Sequence, residues 1–312
     1  MKKLLSVILV LSLMTAAFWL VSCGDNKEES AKTPAENTPV ETPDTTPDEN
    51  KEETPDQKVE EPTVPDVITV DEQVIYDNDG VVITAKGLAE DILFGTTLKL
   101  LIENNSDKNI SVGVDSMILN GFEMFPLFAE DVAAGKKANA ELTLSFEELE
   151  KVGIKTLGLI ELVFEIYDPE TYDTYALSDL VAVKTNAYEV MDTEITAEGT
   201  ELYNANGIKV VTLGMEDTIL GKSICLYIEN TSDKNVTLGT DSFSLNGFMI
   251  EPLFYEDVSA GKKVIGSIDI ATSDLEDNGI ENIENIEFVL SITDAETWET
   301  IATSDPIVLG ME

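Results

Sequence analysis

The stretch IENNSDKN occupies residues 102–109, and IENTSDKN occupies residues 228–235. The match extends on both sides. IENNSDKNISVGVDSMILNGF aligns with IENTSDKNVTLGTDSFSLNGF, PLFAEDVAAGKK with PLFYEDVSAGKK, and IELVFEIYDPETYDT with IEFVLSITDAETWET. The spacing is 126 residues throughout Ile102 to Thr174. Upstream, NDGVVI maps onto ANGIKV, and one residue is lost between Gly80 and Ile102. A period this long exceeds any solenoid unit. It matches the size of an independent domain. Whatever fold one copy adopts, the other must adopt too. The copies are assigned to residues 67–188 and 189–312.

Each copy reads as short strands. VVITAKGLAE, TTLKLLIEN, NISVGVDSMIL, FEMFPLF, KKANAELTLS, IELVFEIYD and YALSDLVAVKT are rich in β-branched and aromatic residues with partial alternation. Turn chemistry separates them in DNDG, NNSDKN, LNGF, AAGKK and DPET. Asn120-Gly121 is a strong two-residue hairpin signal. Ser145 to Glu148 has capping-box spacing with Gly153 as a stop, which predicts one short helical turn. Ser273, Glu276 and Gly279 repeat it in the second copy. Seven or eight such strands per copy predict an all-β protein of two tandem immunoglobulin-like antiparallel β-sandwich domains. No inter-sheet disulfide or buried antibody-type Trp is expected.

The pattern DNDGV, L-x-IEN-x-SDKN, NGF, DV-x-AGKK and D-x-ET resembles immunoglobulin-like modules of poorly characterised lipoproteins from Gram-positive bacteria. The resemblance covers about residues 70–310. It implies a β-sandwich and a cell-envelope location, and it supplies no catalytic residues.

The N-terminus predicts the compartment. Lys2 and Lys3 precede an apolar run, Leu4 to Leu20, which reads as a secretory signal over residues 1–22. LVSC then resembles a bacterial lipobox, with Cys23 as the acylated first residue of the mature chain. The alternative is an uncleaved signal anchor; either places the remainder outside the cytoplasm. Residues 23–66 hold seven of the 11 prolines, with Thr, Glu and Asp and few large apolar side chains. Such a segment cannot bury enough surface to offset chain entropy, which predicts a disordered linker. Cys225 is the second of two cysteines, so an acylated Cys23 excludes a disulfide framework. A small apolar role on a strand is the expectation for Cys225.

Charge narrows the function classes. The chain carries 61 acidic and 19 basic residues, a net charge of -42, with no His and no Arg. Such a field repels nucleic acid and anionic lipid headgroups. Without His, Ser-His-Asp and Cys-His mechanisms and His metal sites are excluded. Carboxylate-pair hydrolysis is the one chemistry that acids alone support. No cofactor motif is present, and a non-enzyme is expected.

Three groups of residues invite a ligand reading. Asp77, Asn78, Asp79 and Gly80 look like the start of a calcium loop. The strand Val81-Val82-Ile83 follows where further oxygen ligands are needed, so a tight turn is the preferred reading. Glu130-Asp131 and Glu256-Asp257 are candidate weak calcium carboxylates, set against ordinary loop solvation. Asp168, Glu170 and Tyr172 recur as Asp294, Glu296 and Trp298. An aromatic ring beside carboxylates can hold a sugar or peptide, whereas a ring at a strand edge can simply cap a core.

The expected function is a lipid-anchored, non-catalytic ligand-binding or adhesion module on the outer face of the cell membrane. Its expected partners are a cell-wall polysaccharide or an envelope or host protein. The alternatives are a structural spacer without a ligand and an acid-only hydrolase.

Overall fold

The computed structural model describes residues 63–310, apart from 92–94, 194 and 197. The signal segment 1–22, Cys23 and nearly all of the linker 23–66 lie outside the described residues. Among the described residues no helix is long and apolar enough to cross a membrane.

The first copy forms β1 (Gln73–Asn78), β2 (Val81–Asp91), β3 (Gly95–Asn104), β4 (Ile110–Leu119), β5 (Phe122–Met124), β6 (Ala129–Val132), β7 (Lys136–Thr143), β8 (Leu159–Tyr167), β9 (Thr174–Leu177) and β10 (Val181–Lys184). The second copy repeats the order as β11 (Thr200–Ala205), β12 (Ile208–Thr218), β13 (Gly221–Asn230), β14 (Val236–Leu245), β15 (Phe248–Met249), β16 (Glu256–Val258), β17 (Lys263–Ala271), β18 (Asn285–Asp294), β19 (Thr300–Thr303) and β20 (Ile307–Gly310). The protein is all-β, and every pairing within a copy is antiparallel. The one-residue difference between copies falls between β2 and β3. Residues 92–94 connect those strands, and only Ile219 and Leu220 connect β12 and β13.

Side-chain alternation builds the sandwich. On β8, buried Ile160, Leu162, Phe164 and Ile166 alternate with less buried neighbours, so one face enters the core. These residues share a core with Ile83, Leu98, Leu100 and Leu142 from the sheet β1-β2-β3-β7. The second copy packs Val210, Ile224, Leu226 and Ile268 against Leu238, Phe288, Leu290 and Ile292 in the same way. The two-residue turns form as expected. Asn120 and Gly121 have φ of 49° and 87°, and Asp79 and Gly80 have 49° and 81°, as a type I′ hairpin requires. Asp77 to Gly80 is therefore a hairpin between β1 and β2.

The repeated SDKN stretch is a clamp. Asn104 is fully buried. Its Nδ2 donates to the carbonyls of Lys108 (2.7 Å) and Val132 (2.8 Å), and its Oδ1 accepts from the N–H (3.0 Å) and the hydroxyl (2.6 Å) of Ser106. Asn230 makes the same four bonds with Lys234, Val258 and Ser232. One side chain thus ties the β3–β4 connection to β6, and its equivalent ties the β13–β14 connection to β16.

The capping boxes do not form. Ser145 lies at φ 52° and makes no side-chain cap bond to the 3-10 turn Phe146–Val152. Buried Phe146 and Leu149 anchor that turn, and the neighbouring Glu147 accepts from the Thr96 N–H (2.9 Å) instead. In the second copy the helix α1 (Thr272–Asp277) starts after Ala271, so Ser273 is inside it. The Gly153 stop is present, with φ 88°.

The copies are joined by sheet structure. β5 runs parallel to β17 through the pair Phe122–Lys263, linking β10-β8-β4-β5 to β17-β13-β12-β11 in one sheet. The Lys263 N–H donates to the Gly121 carbonyl (3.3 Å), and the Ser259 N–H donates to Glu123 Oε2 (2.8 Å). Lys262 Nζ lies 3.6 Å from Glu161 Oε2. Phe122 is 1% exposed, and its ring centroid is 6.3 Å from that of Tyr227, which packs into the first copy's core. The connection between copies adds to this seam. Asp192 Oδ2 accepts from the N–H groups of Lys155 (2.8 Å) and Thr156 (2.9 Å), and the Thr196 N–H donates to the Val152 carbonyl (3.0 Å). Nearby, Cys225 is half-buried on β13, and burial pushes its thiol up to about 12.

Candidate functional site

The D-x-E-T-aromatic loops follow β8 and β18. The Asp168 carboxylate caps its own loop, because Oδ1 accepts from the N–H groups of Glu170 (2.8 Å) and Thr171 (3.1 Å). The Tyr172 N–H then donates to the Asp168 carbonyl (2.9 Å). Asp294 does the same for Glu296 (3.1 Å), Thr297 (3.0 Å) and Trp298 (2.8 Å). The second carboxylate oxygens differ. Asp168 Oδ2 accepts from the Tyr175 hydroxyl, and Asp294 Oδ2 takes the Lys234 ammonium at 2.8 Å. These bonds hold both carboxyls below the usual range, Tyr175 acting first at Asp168 and Lys234 first at Asp294. Both aspartates are thus engaged in shaping the loop. Glu170 and Glu296 point to solvent.

That shape sets the aromatics in an unusual place. Tyr172 has φ 60° and Trp298 has φ 62°, the left-handed region that bulky residues avoid. Tyr172 is 74% exposed and Trp298 is 60% exposed. Each lies against a second ring. Tyr172 stacks on Tyr167 with centroids 6.2 Å apart and planes at 23°, and Trp298 meets Tyr255 at 6.1 Å and 35°. The partner comes from a different element in each copy. Tyr167 ends β8, where the second copy has Thr293; Tyr255 precedes β16, where the first copy has Ala129. Reading the sequence missed Tyr167 and Tyr255. The available signal was the exchange of a ring for a small residue at those two aligned positions.

In the first copy the stacked rings close one side of an open groove of about 210 Å³, lined by Gly113, Val114, Phe128, Glu165, Tyr167 and Tyr172. Gly113 provides its floor, since a Cβ there would come within 3.3 Å of the Tyr167 ring. Burial raises the Tyr167 phenol above its ordinary value. The groove combines the aromatic platform with the Glu165 carboxylate, an arrangement that can stack and hydrogen-bond a ligand.

The calcium candidates are not brought together. Glu130 and Asp131 are neighbours on β6 and point to opposite faces, as alternation requires. The Asp131 carboxylate accepts from the Ser111 hydroxyl, and Asp257 accepts from Thr237. Glu256 turns over Gly266 of β17, where burial, then Asp257, Glu123 and Asp269, raise its carboxyl to about 7. Among the described residues no three His, Cys, Asp or Glu side chains converge on a position that could hold a metal ion.

No family model matches the chain, and no curated protein matches it. Among solved structures it is similar to a protein of unknown function from Porphyromonas gingivalis W83, at 16% identity and TM-score 0.20, covering 69% of this chain and 91% of that one. It is also similar to the CsuC–CsuE chaperone–tip adhesion subunit complex of Acinetobacter baumannii Csu pili, at 13% identity and TM-score 0.19, covering 69% and 92%. A third similarity is to the Salmonella enterica SafA pilin in complex with the SafB chaperone, at 12% identity and TM-score 0.17, covering 69% and 89%. Similarity this low leaves the architecture to be read from the chain's own sheets.

Proposed function

We propose that this chain is a non-catalytic ligand-binding or adhesion module of the cell envelope, anchored through acyl-Cys23 and carried on the acidic segment 23–66. The observation that carries the reading is the pair Tyr172 and Trp298. Both copies keep a solvent-exposed aromatic at a left-handed backbone position that glycine would occupy more easily. Unfavourable backbone geometry that persists in both copies is characteristic of sites that contact something. Cell-wall polysaccharide fits these rings best, because a flat sugar face stacks on an exposed aromatic while neighbouring acids accept its hydroxyls. Two weak sites on one chain also gain avidity.

Acrylamide quenching of Trp298 tests this in the full chain carrying Trp19→Phe. Strong quenching that purified envelope polysaccharide suppresses, and that Tyr172→Ala leaves partly intact, is the expected result. Quenching unchanged by the polysaccharide or by envelope protein would leave the second reading, a structural spacer. That reading is favoured by the engagement of Asp168 and Asp294 within their own loops.

A further inference from the structure

The seam between the copies has two halves, and the chain contains each half twice. The inserting half is the β4–β5 hairpin tip with Gly121, Phe122 and Glu123, plus Glu161 on β8. The receiving half is the turn and strand Ser259 to Lys263, backed by Tyr227. In the second copy the inserting half recurs as Gly247, Phe248, Met249 and Glu287. In the first copy the receiving half recurs as Ala133 to Lys137, backed by Leu101.

Both spare halves have the geometry of their engaged counterparts. Asn246 and Gly247 have φ of 49° and 85°, against 49° and 87° for Asn120 and Gly121. The Lys136 N–H donates to the Ala133 carbonyl at 3.0 Å, and Lys262 repeats that bond to Ser259 at 3.1 Å. Both are also open. Phe248 is 48% exposed and Met249 66%, whereas Phe122 is 1% exposed. Lys136, Lys137 and Glu287 are exposed, whereas Lys262, Lys263 and Glu161 are half-buried. Among the described residues β7 ends the sheet β1-β2-β3-β7, and β15 ends the sheet β15-β14-β18-β19. In the seam, β17 is the strand equivalent to β7, and β5 covers its edge.

We propose that a second copy of this chain docks head to tail, its β15 tip adding in parallel to the free β7 edge as β5 adds to β17 within one chain. Phe248 then lies on Leu101, under the Lys137 ammonium, as Phe122 lies by Tyr227 under Lys263. Glu287 faces Lys136, as Glu161 faces Lys262. Met249 replaces Glu123, the acceptor of the Ser259 N–H, and Ala133 replaces Ser259, so that hydrogen bond is lost and the side chains meeting there are apolar on both sides. Strand addition satisfies open backbone groups on both edges. The contact is heterologous, so copies add in one direction, into an open array unless the rotation between them closes a ring. The Lys137–Glu103 ion pair must rearrange, and Asn139 stands where Ile265 does. The contact is therefore weaker than the internal seam and suited to chains concentrated on one surface.

Cross-linking between two differently marked chains tests the proposal. Full chains with Cys23→Ser carry either Met249→Cys or Ala133→Cys, are mixed, and are treated with a short bismaleimide. Both chains also carry Cys225→Ser, which removes the half-buried native thiol. The expected result is a mixed product at least tenfold above that of either variant alone. Lys136→Glu on the Ala133→Cys chain lowers it at least fivefold, and Glu287→Lys on the Met249→Cys chain restores it. A mixed product no greater than the single-variant controls, or one indifferent to Lys136→Glu, overturns the proposal. Sedimentation equilibrium of the chain without added cysteines is the second measurement. Mass that rises above the monomer with concentration supports the contact, and a monomer at about millimolar concentration overturns it.

Discussion

Phe122 and Phe248 hold the same place in the two copies, one residue past an Asn-Gly turn, yet Phe122 is 1% exposed and Phe248 is 48% exposed. The difference arises entirely from the seam, because only the first tip reaches a neighbouring strand. Phe122→Ala should lower unfolding free energy by about 3–5 kcal/mol, as for a large core truncation. Phe248→Ala should cost under about 1 kcal/mol in dilute solution. Urea unfolding of the two variants checks the contrast; equal losses would mean that the seam contributes nothing.

Asn230 is fully buried with four hydrogen bonds, two of them to backbone carbonyls. Asn230→Ala removes the donor and leaves the Lys234 and Val258 carbonyls short of a partner. A loss of about 2–4 kcal/mol is expected, since each buried group left unsatisfied costs about 1–3 kcal/mol. Ser232→Ala removes only one of the four and should cost about 1 kcal/mol. Denaturant melts of both variants measure the ratio.

Trp298→Gly separates a functional ring from a structural one. A core tryptophan replaced by a small residue would cost about 3–5 kcal/mol. At φ 62° glycine instead relieves a left-handed penalty of about 1–2 kcal/mol, which offsets the lost contact with Tyr255. The melting temperature should change by less than about 3 °C, since 1 kcal/mol moves a chain of this size by about 2–4 °C. A drop beyond 10 °C would make the ring part of the core.

Glu256 gives the chain an acid-stabilised element. Its carboxyl is raised to about 7 in the fold, against 4.5 ordinarily, by burial first and then by Asp257, Glu123 and Asp269. The folded state binds this proton more tightly than the unfolded state. Its contribution is therefore complete below pH 4.5 and is lost as pH rises through 7. Glu256→Gln keeps the neutral form at every pH. It should match the parent at pH 4 and exceed it by up to about 3 kcal/mol at pH 8. Asp294 slopes the other way: Lys234 holds its carboxyl low, so its contribution is present at neutral pH and is lost on strong acidification. The parent-minus-variant curve isolates Glu256, and a flat difference between pH 4 and 8 would refute its role.

Local physics explains what could be read early. The all-β class follows from β-branched runs that alternate burial on strands such as β8, and that pattern is intrinsic to the strand. The Asn120-Gly121 and Asp79-Gly80 hairpins follow because the backbone of those turns demands residues that tolerate positive φ. The capping boxes failed for a local reason with a tertiary cause: burial of Phe146 fixed where the 3-10 turn starts, and Ser145 was carried into a left-handed conformation outside it. The D-x-E-T-aromatic loops were visible as candidates; that Asp168 and Asp294 also cap their own loops was not, because a cap depends on which backbone N–H groups fold back onto the carboxylate.

The sequence by itself determined the repeat, the strand class, the turns and the aromatic positions, because each depends on residues adjacent in the chain. Only the tertiary structure decided which ring stacks on Tyr172 and which meets Trp298, since Tyr167 comes from the end of β8 and Tyr255 from the segment before β16. It alone decided that one Asn-Gly-Phe tip is buried and its twin is open. Nearly identical local sequences make nearly identical tips, and burial depends on whether a complementary edge lies within reach.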